Sequence, residues 1–161
     1  MSLERVATIG VYGFDAERFF AAVLDARTDL FCDLRARRGV RGREYAFANA
    51  RRLEQRLDEL GIRYRHFPEL APLKETRALQ YAADASIGTA KRDRAELAPA
   101  FVQAYERQLE SPAAGAALEV IRGASTVPLL FCVERTPAAC HRSLAAARLA
   151  RGAVAVDHLL P

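Results

Sequence analysis

Thr126-Val127-Pro128-Leu129-Leu130-Phe131-Cys132-Val133 is the most apolar strand-like stretch of the chain, and it carries no charged residue. A strand covered on one face alternates apolar and polar side chains, so a run without alternation reads as a strand covered on both. Leu30-Phe31-Cys32-Asp33-Leu34 and Arg5-Val6-Ala7-Thr8-Ile9-Gly10-Val11-Tyr12 have the same character. Residues 62–67 and 153–157 supply a third and a closing strand. Helical patterns lie between them. Asp15 is placed to cap a helix over residues 16–26, whose Phe19, Phe20, Val23 and Leu24 share a face. Residues 47–60 show helical spacing at Leu53, Leu57 and Leu60, with Gly61 at the C-terminal stop. Pro99 and Pro112 open helices reaching Glu110 and Arg122, because proline lacks the donor that a first turn leaves unpaired. Thr136-Pro137 caps and opens a helix running to Arg151, stopped by Gly152. In the middle segment, residues 69–93, a helix is expected over 76–85 and a loop at Ser86-Ile87-Gly88-Thr89. Apolar strands alternating with helices predict a three-layer α/β/α fold with a mostly parallel sheet of about five strands.

The chain has 161 residues, close to the prior of about 150 per domain, so a single domain over residues 1–161 is expected. Hydrophobic residues are 51% and charged residues 27%, which excludes a disordered or collagen-like chain. No apolar run reaches the roughly 18 residues that a membrane helix requires. Met1-Ser2-Leu3-Glu4-Arg5 has neither a long apolar core nor a small-residue cleavage site. A cytoplasmic protein without a membrane partner is the expectation. Three widely spread cysteines do not make a secreted disulfide framework, and all three are expected to be reduced.

The formal charge is +4, and its distribution says more than its sum. Between Arg35 and Arg65 ten arginines face four acids, a local +6. Five of them crowd into Arg35-Ala36-Arg37-Arg38-Gly39-Val40-Arg41-Gly42-Arg43, where two glycines break a helix and leave backbone N–H groups free. Guanidinium forks and free N–H groups suit phosphate. An arginine-rich composition, with Lys74 and Lys91 the only lysines, is the plainer source of the same excess.

In parallel sheets ligands bind beyond the carboxyl ends of the strands. Cys32, Asp33 and Arg35 follow the second strand; Cys132 and Glu134 follow the fourth, ahead of Pro137-Ala138-Ala139-Cys140-His141-Arg142. Cys140 reads in three ways. Near a helix N-terminus its thiol is placed to lose a proton and act as a nucleophile. Free cysteine is also among the most buried side chains, so simple packing accounts for it as well. Cys132, Cys140 and His141 together, with Cys32 as a further candidate, are, thirdly, good zinc ligands, although their spacing is wider than the usual gap of about two to four residues. Successive helix residues diverge by about 100°, so adjacency alone does not pair Cys140 with His141 as nucleophile and base. Glu134 is a candidate general acid or base, or the partner that orients Arg142, or a cap for helix-start N–H groups. Asp33 is a candidate site carboxylate or half of an ion pair with Arg35. Tyr12 and Tyr64-Arg65-His66 are placed to line the same crevice, and His66 reads first as a satisfied polar residue.

The run Cys132-Val133-Glu134-Arg135-Thr136-Pro137-Ala138-Ala139-Cys140-His141-Arg142 resembles the C-x-E-x-x-P-x-x-C-H-R signature of the bacterial and archaeal domain of unknown function 488 family. Thr8-Ile9-Gly10 is similar to that family's opening strand, Cys32-Asp33-Leu34-Arg35 to its D-V-R strand end, and Gly61-Ile62-Arg63-Tyr64 to its G-I-x-Y entry to the third strand. Glu69-Leu70 resembles the start of its E-L-G-G segment, but Ala71-Pro72 replaces the glycine pair. Val11-Tyr12 stands where the family often has histidine followed by serine or threonine. The resemblance implies the fold and the place of the site, and it brings no activity.

The expected function is that of an enzyme, or enzyme-like domain, acting on a nucleotide or nucleic acid. In that reading Arg35, Arg37, Arg38 and Arg142 bind phosphate, Glu134 and Asp33 supply acid or base chemistry, and Cys140 is nucleophile or metal ligand. A non-catalytic nucleic-acid-binding module using the Arg35–Arg43 loop is one alternative, and a zinc or thiol-based protein another. The residues leave the oligomeric state open.

Overall fold

The computed structural model describes residues 2–161; Met1, the first residue of the amino-terminal stretch read above, lies outside the described residues. Five strands, β1 (Arg5–Ile9), β2 (Leu30–Asp33), β3 (Arg63–His66), β4 (Pro128–Phe131) and β5 (Ala155–Leu159), form one sheet in the order β3-β2-β4-β1-β5. Every neighbouring pair is parallel. The helices are α1 (Ala16–Asp25), α2 (Ala50–Glu59), α3 (Lys74–Ile87), α4 (Pro99–Leu109), α5 (Pro112–Ala124) and α6 (His141–Ala150). The fold is thus the expected three-layer α/β/α arrangement, with the sheet parallel throughout.

Side chains alternate across each strand, and in the three inner strands β1, β2 and β4 both alternate sets are mostly apolar because both faces are covered. Ile9, Phe31, Leu129 and Phe131 point into one core with Phe19, Phe20 and Val23 of α1 and Leu53 and Leu57 of α2. Val6, Leu30, Cys32 and Leu130 point into the other with Phe101 and Tyr105 of α4, Leu118 and Ile121 of α5, and Leu149 of α6. The two edge strands β3 and β5 carry half-exposed and exposed residues only, as one-sided pairing allows.

Three helix boundaries differ from the sequence expectation, and the closing strand, expected over 153–157, runs over Ala155–Leu159. The helix expected from Thr136 to Arg151 is two pieces: a 3₁₀ turn at Pro137–Ala139, then α6, with Cys140 between them in extended conformation (φ −136°, ψ 140°). The helix expected from residue 47 begins at Ala50, because Arg43–Ala48 wind as 3₁₀ and Asn49 is extended. Helix α3 continues through Ser86 and Ile87, which were expected as loop, and ends at Gly88 with φ +68°, a left-handed stop that glycine adopts without strain. No helix among the described residues is long and apolar enough to cross a membrane.

Topology sets the position of the site. From β1 the chain passes β4 to reach β2, whereas from β4 it passes β1 to reach β5, so the adjacent strands β1 and β4 send their connections in opposite directions. Such a reversal opens a crevice at the carboxyl ends of the strands. Strand β2 lies directly beside β4 (Asp33 opposite Phe131), which brings the two reactive strand ends of the sequence together.

Candidate functional site

A cleft of about 510 Å³ lies beyond the ends of β2 and β4. Its floor holds Cys132, Glu134, Cys140 and His141, all buried. The β1 end braces that floor. Val11 and Tyr12 donate their N–H groups to the Val133 carbonyl (2.9 and 3.1 Å), and Cys132 donates to the Ile9 carbonyl (3.2 Å). Gly10 is required by this approach: a Cβ there would lie 1.9 Å from the Glu134 carbonyl oxygen.

The extended backbone of Cys140 at the N-cap of α6 removes the objection drawn from helical directions. Its side chain is not helical, and Cys140 Sγ lies 3.8 Å from His141 Nδ1. Cys132 Sγ lies 3.7 Å from the same nitrogen. The other ring nitrogen, Nε2, is 3.1 Å from the Leu34 carbonyl. A carbonyl only accepts, so Nε2 carries the proton and Nδ1 faces both sulfurs. The Tyr105 ring packs edge-on against the imidazole (5.4 Å between centroids) and fixes its plane.

Burial pushes the Cys140 thiol up, but a hydrogen bond from Cys132 and the neighbouring Arg142 and His141 charges outweigh it and hold Cys140 well below the ordinary thiol range. Cys132, the donor in that bond and itself buried, is pushed well up. Burial opposes the His141 charge, yet Cys140 and Glu134 raise its pKa. Glu134 is raised by burial and by Cys140, against Lys91 and His141. Its carboxylate is met by Lys91 Nζ and Arg94 Nη1, both at 3.5 Å, and by Cys132 Sγ at 3.6 Å.

Arg94 is held from behind. Its Nε and Nη2 donate to Asp84 of α3 (3.0 and 2.5 Å to Oδ2). Gln80 donates to Asp84 Oδ1 (2.8 Å) and accepts from the Ala98 N–H (2.8 Å). Lys91, Arg94, Asp84 and Gln80 were not singled out in the sequence, nor was Arg77, which lines the cleft with Lys74 and Arg37. The signal that finds Gln80 and Asp84 is the polar spacing Thr76-x₃-Gln80-x₃-Asp84, one buried helix face; Arg77, Lys91 and Arg94 lie off that face and share no such spacing.

The expected site residues separate into two groups. Glu134, Cys140, Cys132, His141, Arg35 and Arg37 line the cleft. Asp33, Arg38 and Arg142 do not, and each is bound to other protein groups. Asp33 is fully buried, its Oδ1 taken by Arg35 Nε (2.9 Å) and its Oδ2 by Arg35 Nη2 (2.8 Å) and the Tyr64 hydroxyl (2.6 Å). No carboxylate face remains for catalysis. Arg35 spends Nη1 on the Ala48 carbonyl as well (2.8 Å) and lies over the Phe131 ring, so it is a structural cation at the cleft wall. Arg38 pairs with Glu54 (2.6 Å). Arg142 has no exposed surface; Nη1 donates to the Glu134 carbonyl (2.5 Å) and Nη2 to that of Arg135 (3.2 Å), so it shapes the loop rather than meeting phosphate. His66 bonds the Arg35 carbonyl (2.6 Å), as a satisfied polar residue does.

Residues 15–149, from the cap of α1 nearly to the end of α6, match the family described as Domain of unknown function DUF488. The chain belongs to this family. The DUF488 match covers β2, β3 and β4 and both segments that form the cleft floor. Comparison with curated proteins and with solved structures gives no match.

Proposed function

We propose that this DUF488 protein is an enzyme acting on a phosphate-bearing substrate of nucleotide size, in a cytoplasmic setting where its thiols stay reduced. The observation that carries the reading is the charge of the cleft: Arg37, Lys74, Arg77 and Lys91 line it together with Arg94, whose charge Asp84 offsets from behind, against the carboxylate of Glu134. Clustered cations in a low-dielectric concavity concentrate phosphate. Pro72, Leu97 and Phe101 add an apolar wall on which a base or sugar fits, and the volume falls in the range of about 300–1,000 Å³ usual for ligand pockets. Glu134, the only acid lining the cleft among the described residues, is the residue that moves a proton, and Lys91 and Arg94 orient it. The Arg35–Arg43 loop supports a polymer-binding module less well, since Arg35 is buried and Arg38 ion-paired.

Calorimetric titration with adenosine 5′-monophosphate and with adenosine tests this reading. Replacing Lys74 and Arg77 together with alanine is expected to weaken the nucleotide by about tenfold or more, since a hydrogen bond to a charged group contributes about 1.5–3 kcal/mol, and to leave the nucleoside unchanged. Nucleotide affinity equal in wild type and double variant would overturn it.

A further inference from the structure

The cleft floor is also built as a metal centre. We propose that Cys132, Cys140 and His141 bind one zinc ion, through the two Sγ atoms and Nδ1, with the fourth position open to the cleft. The inference does not depend on the phosphate reading. The three donor atoms lie within 4.8 Å of one another and all three residues are buried. In a tetrahedral site with Zn–S near 2.3 Å and Zn–N near 2.0–2.1 Å, sulfur and nitrogen ligands stand about 3.5–3.6 Å apart. The two observed Sγ to Nδ1 separations are 3.7 and 3.8 Å, within a few tenths of an ångström of that spacing.

Two further observations point to a metal rather than to packing. The Nε2–H of His141 is committed to the Leu34 carbonyl, the outer-shell bond that commonly fixes a ligating imidazole with its other nitrogen free. The Cys140 backbone also departs from the helix that begins one residue later, and this turns the sulfur toward Nδ1. Two sulfurs and an imidazole suit zinc, as hard oxygen-seeking ions do not. Two thiolates neutralise the ion, while Lys91 and Arg94 balance Glu134 and Asp84. Glu134 lies outside the ligand set, beside Cys132 (3.6 Å), where it is placed to exchange a proton with a group at the fourth position. Three protein ligands and an open position characterise catalytic zinc, which acts as a Lewis acid and acidifies bound water.

The full chain, purified without chelator and exchanged into metal-free buffer, is expected to contain one zinc per chain by mass spectrometry of the elements. Growth or reconstitution with cobalt is expected to give a thiolate-to-cobalt charge-transfer band. Iodoacetamide is expected to modify Cys132 and Cys140 only after chelation, whereas Cys32, buried within β2 and outside the cluster, stays unmodified in both conditions. Cys140→Ser is expected to lose the metal; if that variant does not fold, the cobalt spectrum of the wild type decides. Absence of zinc and of the cobalt band overturns the proposal, as does stoichiometric copper or iron in place of zinc. Rapid alkylation of Cys140 without chelation also overturns it and makes the thiolate a nucleophile.

Discussion

Arg142 and Gly10 illustrate how a residue serves a site without entering it. Arg142 follows Cys140-His141 directly in sequence, and the charge of its guanidinium invites a phosphate role. The structure spends that guanidinium on the Glu134 and Arg135 carbonyls, so its donors go to the backbone of the loop after β4. Gly10 lies under the same carbonyl. Its φ is not positive, so the requirement is steric: an added Cβ would stand 1.9 Å from Glu134 O and 3.0 Å from Arg142 Nη1. Both are fixed groups in a packed wall. Gly10→Ala is therefore expected to push the loop after β4 outward and to destabilise the protein by about 1–3 kcal/mol, the usual cost of overpacking. Urea unfolding checks this: the midpoint should fall with an unchanged slope. An unshifted midpoint would mean that the loop yields freely and that Gly10 does not position it.

Helix α3 is the element that the sequence disguised most. Hydrophobic periodicity finds the inward face of a helix when that face is apolar. Here the buried residues are Thr76, Gln80 and Asp84, while Leu79, Tyr81 and Ile87 are exposed, so the pattern reads inside out and the helix was expected to be short. The apolar strands β2 and β4 were legible because burial on both faces leaves an unbroken signature. For β5 the polar Asp157-His158 concealed pairing that runs to Leu159, since an edge strand needs only a partner's backbone, and His158 is further tied to Thr8 Oγ1 (2.7 Å). Half of the site was likewise legible: the residues adjacent in sequence around Cys132–His141 were found, and those supplied across space by α3 and the segment after it were not. The Asp84–Arg94 pair carries that segment. Breaking a buried pair from one side leaves an uncompensated charge, so Asp84→Ala is expected to cost about 3–5 kcal/mol. It should also raise hydrogen exchange at residues 88–98 while sheet amides stay protected. Burial pushes the Asp84 carboxyl up, but Arg94 and Gln80 outweigh it and hold its pKa below the ordinary value of 3.8. Its contribution is accordingly complete at neutral pH and is lost as pH falls below that value through the native pKa. Wild-type exchange at 88–98 should rise only in that acid window; unchanged exchange in Asp84→Ala would dismiss the anchor.

At the scale of the molecule, the arginine-rich run from Arg35 to Arg65 does not become one basic surface. Arg35 is paired with Asp33, Arg38 with Glu54, and Arg56 with Glu59. Arg63 donates to the Asp29 and Ala124 carbonyls, and Arg65 lies over Phe67. The cations that converge on the cleft come largely from elsewhere, from α3 and the segment after it. A polymer needs a continuous track of cations, because each phosphate neutralised steepens the fall of log binding constant with log salt by about 0.9. A cleft that surrounds one or two phosphates gives a slope no steeper than about −2 by the same rule. Binding measured across a salt series is therefore expected to show a shallow slope for adenosine 5′-monophosphate and no tighter binding of a DNA duplex. A duplex slope of about −5 or steeper would assign at least five phosphate contacts and move the function to the outer surface. In that case Arg41 and Arg43, both exposed between β2 and α2 and outside the cleft lining, would be the residues to replace, and the cleft cations would be left to orient Glu134 alone.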